Sequence, residues 1–374
     1  MKIAVHAADL DHKRIDGTRV YLLNMLKNFG RLDQNDFFDV YHQHNFNQFL
    51  TPPAFKKYRF KSIPFPIIWT QTRFSFHLWQ DDPDVLWMPV QNIPAIRRSS
   101  LKTVVTVHDL AFKFFPELFP KKDLRKLNFL TDCAIKMADG IIAVSVATKK
   151  DILRFYPKIK EDKIRVIHHG FDRFLFQKKV SESESKKTLS SFKLKSKEYL
   201  LYVGAIQPRK NLIVLVEAFE KIKNKYPDLK LLIAGAPAWN FDRILERINK
   251  SIFSGDIIIT GEVEFRKLPV LYNNARVFVF PSLYEGFGIP VLEAMACGVP
   301  TVLAENSSLP EVGGKAATYF NAESSEDLAI CLEKNLSDEN LAKQMIEKGL
   351  AQVQNFSWEK SAEETLDFIK SFKK

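Results

Sequence analysis

The chain alternates between short apolar runs of strand length and longer segments in which apolar residues recur at helical spacing. Five runs rich in β-branched residues lie in the first half, at 3–5, 84–88, 103–107, 140–144 and 163–167. Five more lie in the second half, at 199–204, 230–235, 256–261, 277–280 and 299–302. Most are separated by about 20 residues or more, which is the spacing that βαβ units require. We therefore predict an α/β protein with two doubly wound, Rossmann-like domains.

A polar stretch rich in Lys and Ser, at 178–197, interrupts this pattern and is predicted to be a linker. The predicted organisation is an N-terminal Rossmann-like domain at 1–177, the linker, and a C-terminal Rossmann-like domain at 198–355. A last helix at 356–374 is expected to pack back on the N-terminal domain. The two domains are expected to face an interdomain cleft at the carboxyl ends of their strands, where ligands bind in this architecture.

Composition narrows the class of protein. With 374 residues, 46% hydrophobic and 26% charged, the chain falls outside the collagen-like and disordered classes. Three widely spaced cysteines predict neither a disulfide framework nor a metal knuckle. The first residues do not form a signal peptide, and no apolar run reaches the length of a membrane span. These features predict a cytoplasmic protein.

Charge is distributed unevenly along the chain. The net charge is +11, and residues 1–175 hold 28 Lys and Arg against 18 Asp and Glu, whereas the remainder holds 27 against 26. The first part therefore carries +10 and the second +1. A basic half of this kind is suited to an anionic partner such as nucleic acid, lipid headgroups or a phosphate-bearing substrate.

The segment 281–300 carries the most specific motif and directly follows an apolar run. Gly286 and Gly288 permit a tight turn with exposed amides, and Pro290 suits the first turn of a helix. Such a helix start binds phosphate. Glu285 and Glu293 are placed to hold different hydroxyls of one ligand. The alternative is a glycine turn and a capped helix with two surface glutamates.

Two further segments place polar residues after strands. Arg209 and Lys210 stand between a strand and a helix, where two cations can neutralise a diphosphate, and the alternative is a solvated basic turn. His108 follows the strand 103–107 and is a candidate for hydrogen bonding or acid–base work, or else a structural histidine. His168 and His169 lack ligand partners at metal spacing and are interpreted as structural.

The loop after the first strand contains Gly17 and Arg19, at the start of a predicted helix. Gly17 would let the backbone approach a ligand. No G-x-G-x-x-G pattern occurs there, which argues against NAD or FAD. The acidic run at 81–84 is interpreted as a solvated loop before a strand, so we predict no metal site.

In their order and spacing, these segments resemble the retaining family 4 glycosyltransferases of the GT-B fold, over nearly the whole chain. The resemblance implies that Glu285, with the backbone amides of Phe287 and Gly288, binds hydroxyls of a donor sugar. It also implies that Glu293 holds the ribose hydroxyls of the nucleotide, and that His108 lies against the donor sugar near the reacting carbon. Glu285 and His108 are thus the implied catalytic residues.

The resemblance further implies that Arg209 and Lys210 contact the donor diphosphate and that Gly17 lies over the phosphates. One position departs from the family pattern, because many relatives carry an arginine directly after the glycine at position 204, and this chain has Ala205. We expect Arg209 to supply that charge. Such an enzyme needs no cofactor besides the nucleotide-sugar donor as co-substrate and works without a metal.

The segments 67–73 and 307–314 are similar to those of bacterial enzymes that build polysaccharides, many of them mannosyltransferases. This resemblance implies GDP-mannose as donor, with a UDP-sugar as the other choice, and a saccharide or polyprenyl-linked acceptor. The alternatives are a sucrose-synthase-like or glycogen-synthase-like enzyme, an epimerase, or a non-catalytic module that binds nucleotide sugars or nucleic acid. We expect no nucleic-acid partner.

Basic and aromatic residues alternate between 55 and 69. We predict an acceptor-binding or membrane-binding face there, formed by Lys56, Lys57, Arg59 and Lys61 together with Arg19. Such a face would hold the enzyme at an anionic membrane surface, on the inner face of the cell membrane. The alternative is a solvated basic face over an ordinary core helix.

Overall fold

The computed structural model describes residues 1–13 and 15–373, and these form two compact units. The N-terminal unit comprises Met1–Phe114, Lys121–Gly170 and Trp358–Lys374, and the C-terminal unit comprises Phe115–Pro120 and Phe171–Ser357. Each unit is built on one parallel sheet with helices. The predicted α/β class with two Rossmann-like domains is confirmed.

Seven parallel strands form the sheet of the N-terminal unit. They are β1 (Lys2–His6), β2 (Phe37–His42), β3 (Tyr58–Ser62), β4 (Val85–Met88), β5 (Lys102–Val107), β6 (Gly140–Ala143) and β7 (Ile164–Val166), in the spatial order β3-β2-β1-β4-β5-β6-β7. The central strands β1, β4, β5 and β6 are almost wholly buried and apolar, as expected for a parallel sheet that is covered on both faces.

The helices of this unit are α1 (Gly17–Leu32), α2 (Ser75–Asp81), α3 (Ala111–Phe114), α4 (Lys121–Met137) and α5 (Val146–Phe155), and the last helix of the chain, α14 (Trp358–Lys370), also belongs to it. A π-helical turn at Thr70–Phe74 runs directly into α2. The terminal segment that was expected to pack back on the N-terminal domain contains α14, which packs against α1. There Lys370 Nζ lies 2.6 Å from Asp33 Oδ2 and 3.1 Å from Asp36 Oδ2.

Six parallel strands form the sheet of the C-terminal unit. They are β8 (Tyr199–Val203), β9 (Lys230–Ala234), β10 (Ile257–Gly261), β11 (Val277–Phe280), β12 (Thr301–Ala304) and β13 (Ala317–Phe320), in the order β10-β9-β8-β11-β12-β13. The helices are α6 (Glu182–Ser191), α7 (Leu212–Lys223), α8 (Asp242–Asn249), α9 (Leu268–Asn274), α10 (Ile289–Ala296), α11 (Leu309–Gly313), α12 (Ser325–Ser337) and α13 (Glu339–Gln352).

Strand order reverses beside the first strand of each sheet. β1 lies between β2 and β4, and β8 lies between β9 and β11. In doubly wound sheets, the loops that follow the strands at such a reversal form the ligand site. In the C-terminal unit these are the loops after β8 and β11, which carry Arg209, Lys210 and Glu285.

The stretch predicted to be a linker differs from the structure. The two units divide at Gly170 and Phe171, and 178–197 contains α6, which packs against α9. The Ser181 hydroxyl caps this helix by accepting from the Glu184 amide at 3.1 Å. Only two of its residues, Thr188 and Leu189, are buried. So few buried positions leave no clear helical period in the sequence.

None of the helices within the described ranges has the length and apolarity needed to cross a membrane.

Candidate active site

The motif at 281–300 forms a turn between β11 and α10. Gly288 adopts φ +104°, a left-handed conformation that favours glycine, and the turn requires it directly before the first helical residue. Pro290 occupies the first turn of α10, where its missing N–H costs no helical hydrogen bond. The predicted turn and helix start are therefore present. The N-terminus of α10, where backbone N–H groups lack intrahelical partners, follows Gly288.

Arg209, Lys210 and Glu285 meet in one cluster on the C-terminal unit. Lys210 Nζ donates to Glu285 Oε1, and Arg209 Nη1 lies 3.3 Å from Glu285 Oε2. Arg209 also donates to the carbonyl of Tyr284. All three side chains are nearly buried. These residues belong to two motifs that lie about 75 residues apart in the sequence, and the structure brings them together.

The two cations decide the charge of Glu285. Burial by itself raises the pKa of this carboxyl group, but the Lys210 ammonium and the Arg209 guanidinium outweigh it, and the net pKa lies below the ordinary value. Glu285 is thus an anion at neutral pH. An ionised carboxylate accepts hydrogen bonds from hydroxyl groups such as those of a sugar.

The loop after β12 holds the Glu285 turn, and sequence reasoning did not identify it as part of the site. The Glu285 amide donates to Ser307 Oγ at 2.9 Å. Ser308 Oγ lies 2.9 Å from the carbonyl oxygen of Glu285 and 2.8 Å from that of Phe287, so its one hydrogen is shared between them. The only sequence signal was the similarity of 307–314 to polysaccharide-building enzymes.

Asn211 directly follows the two cations in the chain, and the sequence did not identify it as part of the site. It adopts φ 57° and ψ 38°, between the 3₁₀ turn Pro208–Lys210 and α7. Asparagine tolerates this left-handed conformation better than most residues do. Its amide nitrogen donates to the carbonyl of Pro281 at 3.1 Å and to that of Ala322 at 2.7 Å. One side chain thus joins the loops that follow β8, β11 and β13.

Glu293 lies in α10 in a different environment from Glu285. It is 6% exposed, and Tyr272 donates its phenolic hydrogen to Glu293 Oε2 at 3.0 Å. Burial raises the pKa of Glu293 from 4.5 to about 7, the Tyr272 hydrogen bond opposes this rise, and the Asp172 charge adds to it. The two glutamates of the motif therefore differ in charge at neutral pH.

Replacing Glu293 with the neutral, isosteric glutamine should stabilise the fold at alkaline pH. Because the folded wild-type protein binds the Glu293 proton more tightly than the unfolded chain does, its stability falls as pH rises from 4.5 to about 7. The variant avoids this loss, which is on the order of 3 kcal/mol. Urea unfolding at pH 8 should show Glu293→Gln to be the more stable protein.

At about pH 3.5 the two proteins should have similar free energies of unfolding, since wild-type Glu293 is then largely protonated in both states. Glu323→Gln, at an exposed site in the same unit, serves as the control and should show no such pH-dependent gain. A wild-type protein at least as stable as Glu293→Gln at pH 8 would contradict the raised pKa.

His108 lies in the N-terminal unit, directly after β5. Its Nε2 lies 2.7 Å from the carbonyl oxygen of Pro89, and burial lowers its pKa. The imidazole is therefore neutral, with Nε2–H donating to Pro89 and Nδ1 left as the acceptor. The rings of Tyr21 and His169 pack against it at centroid distances of 5.0 and 5.4 Å. His169, interpreted as structural, has a pKa well below its usual range because it is buried.

Gly17 and Arg19 lie at the start of α1. Gly17 is the first residue of this helix, and the Asp16 side chain caps it by accepting from the Arg19 amide at 3.2 Å. The Arg19 guanidinium binds Asp16, and its Nε donates to the Asp9 carbonyl at 3.0 Å. The role of Gly17 over the phosphates and that of Arg19 toward an acceptor stay predictions.

The basic residues at 56–61 lie in an edge strand and in the turn before it, not in a helix. Arg59 and Lys61 lie in β3, and both pair with the fully buried Asp39, at 2.5 and 3.1 Å. Lys61 also lies 2.6 Å from Asp81. Lys57 lies over the Phe37 ring at 4.1 Å, and Lys56 is exposed. The alternative that placed this basic face over a core helix is therefore wrong about the element.

No group of three or more His, Cys, Asp or Glu side chains is placed to hold a metal ion in the part of the chain that the structure describes. In the acidic run at 81–84, Asp81 accepts from the Tyr41 hydroxyl at 2.7 Å, and Asp82 lies 2.5 Å from Arg98 Nη1.

Comparison with protein families gives two matches that together cover most of the chain. The model described as Glycosyltransferase Family 4 matches residues 15–173, and the model described as Glycosyl transferases group 1 matches residues 182–352. The O-antigen chain mannosyltransferase B of Escherichia coli is 32% identical over 277 residues, which cover 72% of this chain and 70% of that protein. This chain is a family 4 glycosyltransferase.

A second relative is the serotype-specific mannosyltransferase WbdA of Escherichia coli, which is 31% identical over 299 residues. The match covers 77% of this glycosyltransferase but only 35% of that larger protein.

Solved structures confirm the GT-B fold of this glycosyltransferase. The sucrose-phosphate synthase from Thermosynechococcus elongatus superposes with a TM-score of 0.77 at 19% identity, covering 99% of this chain and 98% of that one. HepE from Anabaena, in complex with UDP and glucose, superposes with a TM-score of 0.76 at 17% identity, covering 99% and 100%.

Proposed function

We propose that this glycosyltransferase transfers mannose from GDP-mannose to a hydroxyl group of a saccharide or polyprenyl-linked saccharide, with retention of anomeric configuration. The product would extend a cell-surface polysaccharide. Two relatives named as mannosyltransferases, 32% and 31% identical, support this choice of sugar.

The observation that carries the proposal is the cluster of Arg209, Lys210 and Glu285. In a sugar-nucleotide reaction the leaving group is a nucleoside diphosphate, and negative charge grows on it as the glycosidic bond breaks. Two preorganised cations and the amides at the start of α10 stabilise that charge. The Glu285 carboxylate binds sugar hydroxyls beside them, so one cluster orients the sugar and its leaving group.

In the proposed step, an acceptor hydroxyl oxygen forms the new bond to the anomeric carbon on the face that the diphosphate leaves. The bond between that carbon and the diphosphate oxygen breaks, and its electron pair stays on the diphosphate. The hydroxyl proton passes to a donor phosphate oxygen. No protein nucleophile takes part, and the cations balance the charge of the leaving group throughout.

His108 is proposed to accept a hydrogen bond from the donor sugar. Its neutral imidazole keeps Nε2–H on the Pro89 carbonyl, so only Nδ1 is open to a ligand, and it can only accept. A hydroxyl group near the reacting carbon matches this acceptor. His108 would therefore orient the sugar, and it would not serve as a general acid.

A panel of nucleotide sugars tests the reaction, with release of nucleoside diphosphate as the readout. GDP-mannose should turn over faster than UDP-glucose, UDP-galactose or ADP-glucose, and NMR of the product should show the anomeric configuration of the donor. Activity should survive excess EDTA, because Arg209 and Lys210 supply the positive charge that a metal would otherwise bring.

A matched reaction with added Mg²⁺ serves as the control and should run at a similar rate. Loss of activity in EDTA that Mg²⁺ or Mn²⁺ restores would contradict metal independence. A preferred UDP-sugar would overturn the choice of mannose, and an inverted product would overturn the proposed step.

A further inference from the structure

The segment 67–81, which contains the π-helical turn and α2, exposes large apolar side chains to solvent. Ile67, Ile68, Phe76 and Trp79 are 61%, 66%, 52% and 50% exposed. The same segment buries Trp69, Phe74 and Leu78 against the N-terminal unit. A surface helix normally has polar residues on the face that points away from the core. Here Phe76 and Trp79 stand on the exposed face beside the polar Thr72, Arg73 and Gln80.

A neighbouring loop adds to the exposed apolar surface and is fixed to it. Ser75 Oγ donates to the carbonyl of Ile96, whose side chain is 69% exposed. Gln71 Nε2 donates to the Ile93 carbonyl at 2.8 Å, and Gln71 Oε1 accepts from the Ala95 amide at 2.8 Å. The loop therefore lies along the helical segment. We call the exposed set Ile67, Ile68, Phe76, Trp79 and Ile96 the apolar patch.

Arginine side chains border the apolar patch. The Arg98 guanidinium lies 5.9 Å from the Trp79 ring, and its Nη2 donates to the carbonyls of Leu78 and Trp79 at 3.1 and 3.0 Å. Arg73 lies over the Phe65 ring at 4.9 Å. Asp81 and Asp82, at the end of α2, are paired with Lys61 and Arg98.

The sequence around the patch is strongly biased toward positive charge. Residues 40–108 hold eight Lys and Arg against three acidic residues, which are Asp81, Asp82 and Asp84. A surface with exposed Ile, Phe and Trp inside a positive field is complementary to an anionic bilayer, because apolar side chains enter the interfacial layer while cations meet the headgroups. A protein partner would need an acidic surface around an apolar centre.

We propose that the apolar patch binds this glycosyltransferase to an anionic lipid surface. The inference rests on the proposed function to the extent that a polyprenyl-linked acceptor lies in such a membrane. The apolar patch, and not Arg59 and Lys61, makes the main contacts with the membrane in this proposal, because the buried Asp39 already pairs with both cations. Ile67, Ile68, Phe76 and Trp79 supply the insertion, and the exposed Arg73 beside them supplies positive charge.

Co-sedimentation of the full chain with vesicles tests this proposal without any need for turnover. Vesicles of phosphatidylcholine alone are compared with vesicles containing about one third phosphatidylglycerol, at low and high salt. The patch variant carries Ile67→Ser, Ile68→Ser, Phe76→Ser and Trp79→Gln. The control variant carries serine at four other exposed apolar positions, namely Phe129, Phe174, Ile252 and Ile330.

Wild type and the control variant should bind the anionic vesicles, more weakly at high salt, and the patch variant should bind them about tenfold more weakly. A blue shift of tryptophan emission on binding should be smaller in Trp79→Phe than in wild type. Thermal melting of each variant shows whether it is folded, and the single substitutions Ile68→Ser and Trp79→Gln give intermediate losses where the full variant is unfolded.

Two results would overturn the proposal: a wild-type protein that does not bind anionic vesicles, or a folded patch variant that binds as wild type does. A wild-type dimer that becomes monomeric in the patch variant, without vesicle binding, would assign the surface to a second copy of the chain. Failure of the mannosyl transfer assay would leave the vesicle result unaffected, so the two proposals fail separately.

Discussion

Replacing Arg209 and Lys210 together with alanine should weaken binding of both the donor and the bare nucleoside diphosphate by roughly 3 to 6 kcal/mol. Each charge-assisted hydrogen bond contributes about 1.5 to 3 kcal/mol, and both cations face the same carboxylate. Transfer should slow in parallel, because the same cations stabilise the leaving group. Isothermal titration calorimetry with GDP and steady-state kinetics measure the two effects.

Stability must be separated from binding in this experiment, since the double variant leaves the Glu285 carboxylate buried without these two cations. Breaking a buried ion pair in this way costs about 3 to 5 kcal/mol of folding free energy. Adding Glu285→Gln removes the buried charge, so the triple variant should regain thermal stability but not diphosphate affinity. Lys221→Ala with Lys225→Ala, at exposed positions of the same unit, is the matched control.

An unchanged diphosphate affinity in the folded triple variant would contradict the assignment of the two cations. Recovery of affinity together with stability would also contradict it, because the cations would then act only through Glu285.

Substitution of each glutamate of the motif should change a different quantity, kcat for Glu285 and GDP affinity for Glu293. Glu285→Gln should lower kcat by about two orders of magnitude or more while the affinity for bare GDP changes little, because the carboxylate acts on the sugar. Glu293→Gln should weaken binding of GDP itself, since an amide replaces the carboxylate proposed to hold the ribose hydroxyls. The measurements are kcat and KM with donor, and calorimetry with GDP.

A pH series distinguishes the same two roles. Glu293 has a pKa of about 7, and its ionised form is the better acceptor for ribose hydroxyls. GDP affinity should therefore rise through pH 7 more steeply in wild type and in Glu285→Gln than in Glu293→Gln, where only ionisation of the terminal phosphate of GDP contributes. If Glu285→Gln weakened GDP binding as much as Glu293→Gln does, the division of roles would be wrong.

Much of the central sheet could be predicted from local pattern. Strands such as β5 and β8 are buried on both faces, so their sequences are continuous apolar runs that no other element explains well. Strands β2 and β3 were not predicted, because Asp39 in β2 and the alternating Arg59 and Lys61 in β3 interrupt the apolar pattern. Their charges are tolerated because the three side chains pair with one another across neighbouring strands.

The linker prediction at 178–197 failed for a related reason. An apolar period appears in the sequence only when a helix buries a full face, and α6 buries only Thr188 and Leu189 while most of its other residues are exposed. Its attachment comes from packing against α9, which lies about 80 residues later in the sequence. A polar helix held by such distant contacts looks like a linker when only its own residues are considered.

The chemistry of the candidate site was available from the sequence, since each motif contains its own reactive groups and follows a strand of a parallel sheet. Arg209, Lys210, Glu285, Glu293 and His108 were each identified in this way. The glycine at position 288 was also predictable, because few other residues adopt its φ of +104°.

Only the tertiary structure decided how these groups act on one another. It placed Lys210 and Arg209 on Glu285, and Tyr272 on Glu293, across separations of 21 to 76 residues. It also joined the side chains of Asn211, Ser307 and Ser308 to the backbone of the loops that carry the site. The charge of a buried carboxyl group depends on neighbours and solvent, and both are set by packing between distant segments. For that reason one glutamate of the motif has a lowered pKa and the other a raised one.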